Sequence, residues 1–454
     1  MVAAACGGKC EGVPVTANNP TEKVRELQRS LYMSAKRSKT RRFHALRHLV
    51  CRGDVLVEAW KRVKSNRGAA GVDGETLEAI ERGGVESFLR DLQQDLQVGE
   101  YMPRPVRRQY IPKPDGKQRP LGIPTVRDRV AQMAVKIAIE PIFEAGFKEC
   151  SYGFRPKRNA TGALEAIRLH GTRGHRYVVD GDIKSYFDTI DPGILMERVK
   201  RRISDRRVLK LLRLWLKAGV MEDGKVRNAA LGTPQGGVIS PLLANIYLDA
   251  LDGIWERQCR HLGVLVRYAD DFVVLCRTRP QANEALRRLG IIMERLRLTL
   301  HPEKTRIVEL GLGGQGFVFL GCYLRLLRSH FKKRAYLFRW PSPAAMNRIR
   351  DRIRALTDRR RRAGLKDIRE VIRDLNPVLR GWGNYFRTGN ASLKFQQIDR
   401  YVHNRLIRLL AKRGGDRKRP FNPADWPLPR FVNEHGLHRL LGTIRYPGLV
   451  NATC

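Results

Sequence analysis

VLVRYADDFVVLC, residues 264–276, places two adjacent carboxylates, Asp270 and Asp271, between two runs of apolar residues. The branched and aromatic residues on both sides predict two β-strands, and the short Ala-Asp-Asp link predicts a tight hairpin between them. A turn readily accounts for one aspartate. It accounts less well for two, because adjacent carboxylates repel each other and each must be solvated or paired.

A second apolar strand ends in acidic residues upstream, in VVDGDIKSYFDTID, residues 178–191. Asp182 lies at the tip of this strand. If the two strand ends meet, Asp182, Asp270 and Asp271 form a cluster of three carboxylates. Hard carboxylate oxygens select Mg²⁺, and two such ions can clamp the attacking and leaving oxygens of phosphoryl transfer. The three aspartates therefore predict a metal site at which a phosphoryl group is transferred.

The charge of the chain predicts a polyanionic partner. Its 454 residues include 87 Lys and Arg against 45 Asp and Glu, a formal net charge of +42. Nucleic acid is the favoured partner, and an anionic membrane surface is the alternative. No run is long and apolar enough to span a bilayer, and the first residues lack the apolar core of a secretory signal. We therefore expect no membrane partner and a cytoplasmic location.

Composition along the chain predicts several domains. Residues 1–20 are expected to form a disordered tail. Residues 21–100 are expected to be largely helical, with Thr21 as the first N-cap and one helix over 74–96. Residues 101–325 alternate between strand and helix patterns. They include two short strands around a Pro-Asp-Gly turn in 107–124, a helix over 126–144 and a strand at 316–324. Residues 326–454 are strongly basic, with 30 Lys and Arg against 9 Asp and Glu. They also show two helical stripes of apolar residues, which are Met346, Ile349, Ile353 and Leu356, and Ile368, Val371, Ile372 and Leu375. The eight cysteines form no CxxC pair, which argues against a zinc site or a disulfide framework.

Several motifs, in this order along the chain, resemble the reverse transcriptases encoded by group II introns. They are YIPKPDGKQRPLGIPTVRDRVAQ (110–132), SYGFRPKRNATGAL (151–164), DIKSYFD (182–188), GTPQGGVISPLLANIYLDALD (232–252), YADD (268–271), LHPEKTRIV (300–308) and LNPVLRGWGNYFR (375–387). The last resembles the maturase domain of that family. YADD alone is a weak signal, whereas the ordered set is specific and covers roughly residues 60–410.

This resemblance implies an α+β right-hand polymerase followed by an all-helical thumb and maturase domain. The N-terminal extension and the start of the fingers would occupy 21–100, and the fingers and palm 101–325. The RNA-binding thumb and maturase part would occupy 326–454. No paired CxxC motifs follow, so we expect no endonuclease domain. The resemblance also implies that two Mg²⁺ ions are bound by Asp182, Asp270, Asp271 and the backbone carbonyl of Ile183.

Other residues are implied to hold the nucleotide and the primer–template. Lys113 and Arg119 match cations that hold the incoming triphosphate, although without the other motifs both would be interpreted as solvated turn residues. Phe187 matches an aromatic residue that lies under the sugar and excludes a 2′-hydroxyl, and a core phenylalanine is the alternative. Ile183 is also expected at the nucleotide. The remaining residues implied at the nucleotide, template or primer are Pro234, Gln235, Gly236, Gly237 and Lys304.

The densest cation runs of the C-terminal part are candidates for RNA binding. Aromatic residues lie among some of them, which suits contact with phosphates together with stacking on single-stranded RNA. A solvated helix face is the alternative. The candidates are Lys332, Lys333, Arg334, Arg359, Arg360, Arg361 and Arg362.

Together these features predict an RNA-directed DNA polymerase of a mobile group II intron. It would copy intron RNA into cDNA and assist splicing by binding that RNA. Its partners would be the intron RNA, an RNA template with a DNA primer, target DNA and dNTPs. Two alternatives stay open: a splicing cofactor that no longer polymerises, and a domesticated reverse transcriptase that serves DNA repair or defence.

Overall fold

The structure is a computed structural model, and it describes residues 19–112, 116, 118–222, 225–227, 236–329, 334–358, 367–411 and 422–446. The chain forms two compact units. The first comprises residues 1–147 and 185–249, and the second comprises residues 148–184 and 250–454. The predicted tail lies almost entirely outside the described residues, and the predicted domain boundaries stay a prediction.

Helices make up most of the first unit. They are α1 (Pro20–Arg37), α2 (Arg47–Val50), α3 (Gly53–Ser65), α4 (Leu77–Gly83), α5 (Val85–Val98), α6 (Val126–Glu144), α8 (Tyr186–Thr189), α9 (Pro192–Lys200), α10 (Arg206–Lys217) and α11 (Ser240–Ile254), which continues into the second unit. Helix α6 is buried over nearly its whole surface because α1 and α3 pack against it. It is the centre of the unit.

Two details of the N-terminal helices differ from the prediction. The N-cap of α1 is Asn19 rather than Thr21, and the Asn19 side chain accepts a hydrogen bond from the Thr21 amide at 3.1 Å. Pro20 fits the first helical turn, where no amide proton is needed. The single helix expected over residues 74–96 is two helices, because Gly84 takes a left-handed φ of 99° and ends α4.

A four-stranded sheet completes the first unit, in the order β2-β1-β4-β5. Its strands are β1 (Val106–Pro112), β2 (Gln118–Ile123), β4 (Val220–Glu222) and β5 (Lys225–Arg227). Strands β1 and β2 pair antiparallel from Arg107↔Ile123 to Pro112↔Gln118. The two strands predicted around the Pro-Asp-Gly turn are therefore confirmed.

The second unit contains an antiparallel sheet in the order β6-β7-β3-β8. Its strands are β3 (Tyr177–Gly181), β6 (Val264–Tyr268), β7 (Asp271–Cys276) and β8 (Arg306–Glu309). Helix α12 (Arg279–Arg295) contacts β3 and β7, and helix α7 (Ala160–Thr172) contacts β6 and β7. We call this sheet the carboxylate sheet, because it carries the predicted aspartates.

A second sheet, in the order β11-β10-β9, corrects two expectations. Its strands are β9 (Phe317–Phe319), β10 (Cys322–Arg328) and β11 (Ala335–Pro341). The single strand expected at 316–324 is a hairpin, because Leu320 and Gly321 both take positive φ. The segment 326–454 is not all helical, because it opens with the end of β10 and with β11. Alternating burial along both strands explains this.

Helices follow this sheet: α13 (Pro343–Leu356), α14 (Ile368–Phe386), α15 (Ser392–Ala411) and α16 (Leu428–Asn433). The predicted stripes on α13 and α14 are buried, apart from Leu356, which is partly buried. One hydrophobic core runs from Val273 and Leu275 of the carboxylate sheet to Phe395 and Ile398 of α15. In the part of the chain that the structure describes, no helix is long and apolar enough to cross a bilayer.

Candidate active site

The predicted hairpin forms between β6 and β7. Tyr268 pairs with Asp271 across the ladder, so Ala269 and Asp270 alone make the loop. Ala269 takes a left-handed φ of 59°, as the first loop residue of a two-residue hairpin must. The backbone is therefore strained at Ala269, the residue that directly precedes Asp270 and Asp271.

Strand β3 brings Asp182 towards this hairpin. Side chains alternate along a strand, and directly paired residues share a face. Asp180 pairs with Val273 and Gly181 with Phe272, so Asp180, Asp182 and Asp271 lie on one face of the sheet. Asp182 is the residue just past the last pair, next to Asp271 in register. The structure thus brings together two acids from different strands.

The carboxylates of this face perturb one another. Crowding by surrounding protein, and then the charges of Asp270, Asp182 and Asp180, raise the pKa of Asp271 to about 7, although the residue is open to solvent. Burial, with a smaller contribution from Asp182, raises the pKa of Asp180 to about 6. The raised pKa values mean that the ionised carboxylates are destabilised at this site, and a bound cation would stabilise them.

A lysine ammonium supplies one such positive charge. Lys304 lies in the loop before β8, and its Nζ is 2.9 Å from Oδ2 of Asp182. Among the described residues, no three His, Cys, Asp or Glu side chains converge into a complete metal site. The donor set still fits a hard divalent cation, since it consists of carboxylate oxygens that repel one another.

A buried arginine supports the hairpin from its other face. Arg267 is fully buried, and its guanidinium donates to both carboxylate oxygens of Asp252, which is also fully buried, with an Nε–Oδ1 distance of 2.8 Å. Nη1 donates to the Ala269 carbonyl at 2.9 Å, and Nη2 to the Ser151 hydroxyl at 2.8 Å. The arginine therefore ties the strained loop residue to α11 and to the segment around Ser151.

That segment lies directly against the hairpin. The Arg267 amide donates to the Cys150 carbonyl, and the Tyr152 amide donates to the Arg267 carbonyl, each at 2.8 Å. A Cβ atom on Gly153 would lie 2.3 Å from the Ala269 nitrogen. Only glycine allows the two backbones to approach this closely.

Comparison with known proteins identifies the family. Residues 111–324 match the reverse transcriptase (RNA-dependent DNA polymerase) family, and residues 346–422 match the group II intron maturase-specific domain. Protein YkfC of Escherichia coli is 37% identical over 364 residues, which cover 71% of this chain and 94% of YkfC. The chain belongs to the group II intron reverse transcriptases. This reverse transcriptase is an RNA-directed DNA polymerase and assists intron splicing.

Two further matches are more partial. The group II intron-encoded protein LtrA of Lactococcus lactis is 41% identical over 213 residues, which cover 46% of this chain and 35% of LtrA. A solved telomerase from Candida albicans, in complex with a fragment of telomeric RNA, matches with a TM-score of 0.40 and 13% identity, over 71% of this chain and 62% of that one.

Several residues predicted at the nucleotide of the reverse transcriptase lie in the first unit. Arg119 is exposed on β2 and pairs with Ile111. Gly236 takes a φ of 121°, and a Cβ there would lie 2.4 Å from the Gly122 carbonyl oxygen of β2. The backbone at Gly236 therefore packs on the strand that carries Arg119. Gly237 follows it, half-buried.

Phe187 and Ile183 have different surroundings. Phe187 lies in α8, half-buried, with its ring centroid 5.4 Å from that of Tyr186. Ile183 follows Asp182 directly, and its side chain is buried. Arg334 is exposed just before β11. Predicted residues outside the described part of the chain are Lys113, Pro234, Gln235, Lys332, Lys333 and Arg359–Arg362.

Sequence reasoning missed three residues of this site: Asp180, Asp252 and Arg267. A signal for Arg267 existed, because it is a charged residue inside the apolar run VLVRY. Its partner Asp252 lies 15 positions away in sequence, at the end of a helix, and no local pattern joins the two. Asp180 stands two residues before Asp182, where strand alternation places it on the same face.

Proposed function

We propose that this reverse transcriptase extends a DNA primer on its intron RNA with dNTPs, and that Asp182, Asp270 and Asp271 hold two Mg²⁺ ions for this reaction. One observation carries the proposal: Asp182, just past β3, and Asp271 of the hairpin share one face, where desolvation and then the neighbouring carboxylates raise the pKa of Asp271 to about 7. Bound divalent cations would stabilise the negative charge that develops on the attacking and leaving oxygens.

The chain's own residues prepare this chemistry. Arg267 fixes the position of the Ala269 carbonyl by a hydrogen bond, and thereby the orientation of the next residue, Asp270. Lys304 balances the charge of Asp182, and its exposed ammonium is free to turn towards a phosphate once that carboxylate has another cation. The backbone carbonyl of Ile183 would add a further oxygen ligand, as the family resemblance implies.

The first unit would bind the nucleotide. Arg119, exposed on β2, can hold triphosphate oxygens in a bidentate manner, together with Lys113. Gly236 and Gly237 allow the backbone to approach the nucleotide and the template closely, beside Pro234 and Gln235. Phe187 would exclude the 2′-hydroxyl, because an apolar ring offers that group neither space nor a hydrogen-bond partner.

Intron RNA would bind the basic C-terminal part. Its 30 Lys and Arg against 9 Asp and Glu favour contact with phosphates, and the match to the maturase-specific domain begins at residue 346. Target DNA is a further proposed partner. We also propose a cytoplasmic location, because E. coli and L. lactis relatives match the chain and the RNA template of a bacterium is made there.

Replacement of the acids by their isosteric amides tests the metal assignment. Asp270→Asn and Asp271→Asn should each lower primer extension on RNA by about 100-fold or more, because several kcal/mol of charge stabilisation depend on the metals. Binding of intron RNA should be unchanged. Asp351→Asn is the matched control, because Asp351 is an exposed acid of α13 paired with Arg354.

Near-normal synthesis by both variants would remove the metal assignment. A wild-type protein that binds intron RNA and promotes splicing but extends no primer would support the alternative of a non-polymerising splicing cofactor.

A further inference from the structure

An exposed aromatic residue lies beside the hairpin in a disfavoured backbone conformation. Phe154 leaves 52% of its surface open and has a φ of 54°. Left-handed φ is unfavourable for a bulky residue, and a large exposed apolar side chain gains little from burial. Neither feature helps the fold, so the position of this ring needs another explanation.

The surrounding loop imposes the conformation of Phe154. The next residue, Arg155, is buried, and its Nη1 donates to the carbonyls of Lys148 at 2.6 Å and Ser151 at 2.9 Å. The preceding residue, Gly153, packs against the Ala269 backbone. Residues on both sides of Phe154 are thus fixed to buried structure, and the exposed ring is presented in a defined place.

The Phe154 ring lies next to the face of the carboxylate sheet that carries Asp271. The Phe154 ring centroid is 6.4 Å from that of Tyr268, with the planes at 42°. Tyr268 pairs directly with Asp271, and directly paired residues share a face of the sheet. The exposed ring therefore stands on the face that carries Asp271, with one aromatic side chain between them.

We propose that Phe154 is a contact surface for the 3′-terminal nucleotide of the primer. This inference rests on the proposed function, in which the carboxylates act at the primer 3′-hydroxyl. A ring one side chain away from them can reach the nucleotide that carries this hydroxyl. Because the ring is uncharged, it suits the apolar faces of base and sugar rather than phosphate, and such contacts tolerate every base.

Kinetics with a modified primer test the contact. Phe154→Ala should raise KM for the primer–template by about 5- to 100-fold, the effect of removing an aromatic side chain from a stacked base. KM for dNTP should be unchanged, and Phe154→Tyr should behave as wild type. Leu312→Ala is the matched control, because Leu312 lies in the loop between β8 and β9 and is 53% exposed; it should have no effect.

A primer with an abasic 3′-terminal nucleotide identifies the partner. With this primer, wild type should lose affinity while Phe154→Ala loses little more, because the contact is already absent. Equal losses in both proteins would overturn the proposal, and so would a change confined to KM for dNTP, which would assign Phe154 to the incoming nucleotide. If wild type extends neither primer, the proposed function fails rather than this inference.

Strain provides a readout that does not depend on activity. Phe154→Gly should lose primer affinity as Phe154→Ala does, but it should have the higher Tm of the two, because glycine accepts a φ of 54° without strain. A Phe154→Gly variant that melts below Phe154→Ala would show that the backbone is not strained, and it would remove this part of the argument.

Discussion

Replacing Arg267 by methionine should separate the stability of the hairpin from its activity. Methionine has a similar length but cannot donate hydrogen bonds, so Asp252 becomes a buried carboxylate without its partner and the Ala269 carbonyl loses its donor. Removing one partner of a buried ion pair costs about 3–5 kcal/mol. In a unit of this size, about 2–4 °C of Tm correspond to each kcal/mol, so Tm should fall by about 10 °C.

Activity should fall for a different reason. Without Arg267 the loop is no longer held at Ala269, and Asp270 loses its fixed direction. We expect kcat for primer extension to decrease at temperatures well below the new Tm, with little change in KM for dNTP. Arg287→Met is the control, because Arg287 pairs with Glu284 at 2.7 Å on an exposed helix surface, and such pairs contribute little.

A double variant distinguishes the two effects. Arg267→Met/Asp252→Leu removes both buried charges, and replacing a buried pair by apolar residues is often neutral or stabilising. Tm should therefore return towards the wild-type value, while kcat stays low because the Ala269 carbonyl still has no donor. Recovery of kcat together with Tm would refute the reasoning, since Arg267 would then act on stability alone.

Three other predictions address other parts of the chain. Phe187→Ala should raise kcat/KM for ribonucleotides relative to deoxyribonucleotides, and an unchanged ratio would make Phe187 a packing residue. Replacing the four arginines 359–362 by alanine should weaken intron RNA binding and flatten its dependence on log salt by about 0.7–0.9 for each lost phosphate contact; identical slopes would indicate a solvated face. Burial, and then the charge of Arg380, lower the pKa of His438, against an opposing contribution from Asp399. The folded state therefore prefers neutral His438, and the stability of the C-terminal segment should be complete above the ordinary pKa of about 6.5 and fall as pH drops below it. Hydrogen exchange of the residues around Leu440 between pH 7.5 and 5.5 measures this effect, which His438→Gln should abolish.

The elements whose residue types agree with their structure were predictable from the sequence. Branched and aromatic residues indicated the β6–β7 hairpin, the Pro-Asp-Gly turn indicated the β1–β2 pair, and apolar residues at helical spacing indicated helix α6; the structure has all three. The buried stripes of α13 and α14 were predictable for the same reason. In these segments local preference and tertiary packing agree, so the pattern in the sequence is sufficient.

The sequence failed where a single residue decides the backbone. Gly84 divides a helical pattern, and Leu320 with Gly321 turns one apparent strand into a hairpin. Both cases depend on positive φ, which a hydrophobic pattern does not encode. The N-cap at Asn19 was missed because Thr21 is an equally good candidate by residue type, and only the position of Pro20 distinguishes them.

The site itself was predictable only on its charged face. The aspartates could be found because two strands end in acids, and strand alternation makes such acids neighbours. The residues that support these aspartates could not be found in this way, because Arg267, Asp252 and Ser151 are distant in sequence and meet only through the fold.

The face of the sheet that carries the aspartates depends physically on the opposite face, which carries Arg267. Desolvation and then like charges raise the pKa of Asp271, and Ala269 is strained. Both effects oppose the local structure, so the hairpin needs a compensating interaction close by. A fully buried, bidentate ion pair that also binds the Ala269 carbonyl provides it, on the face of the sheet from which water and substrate are excluded.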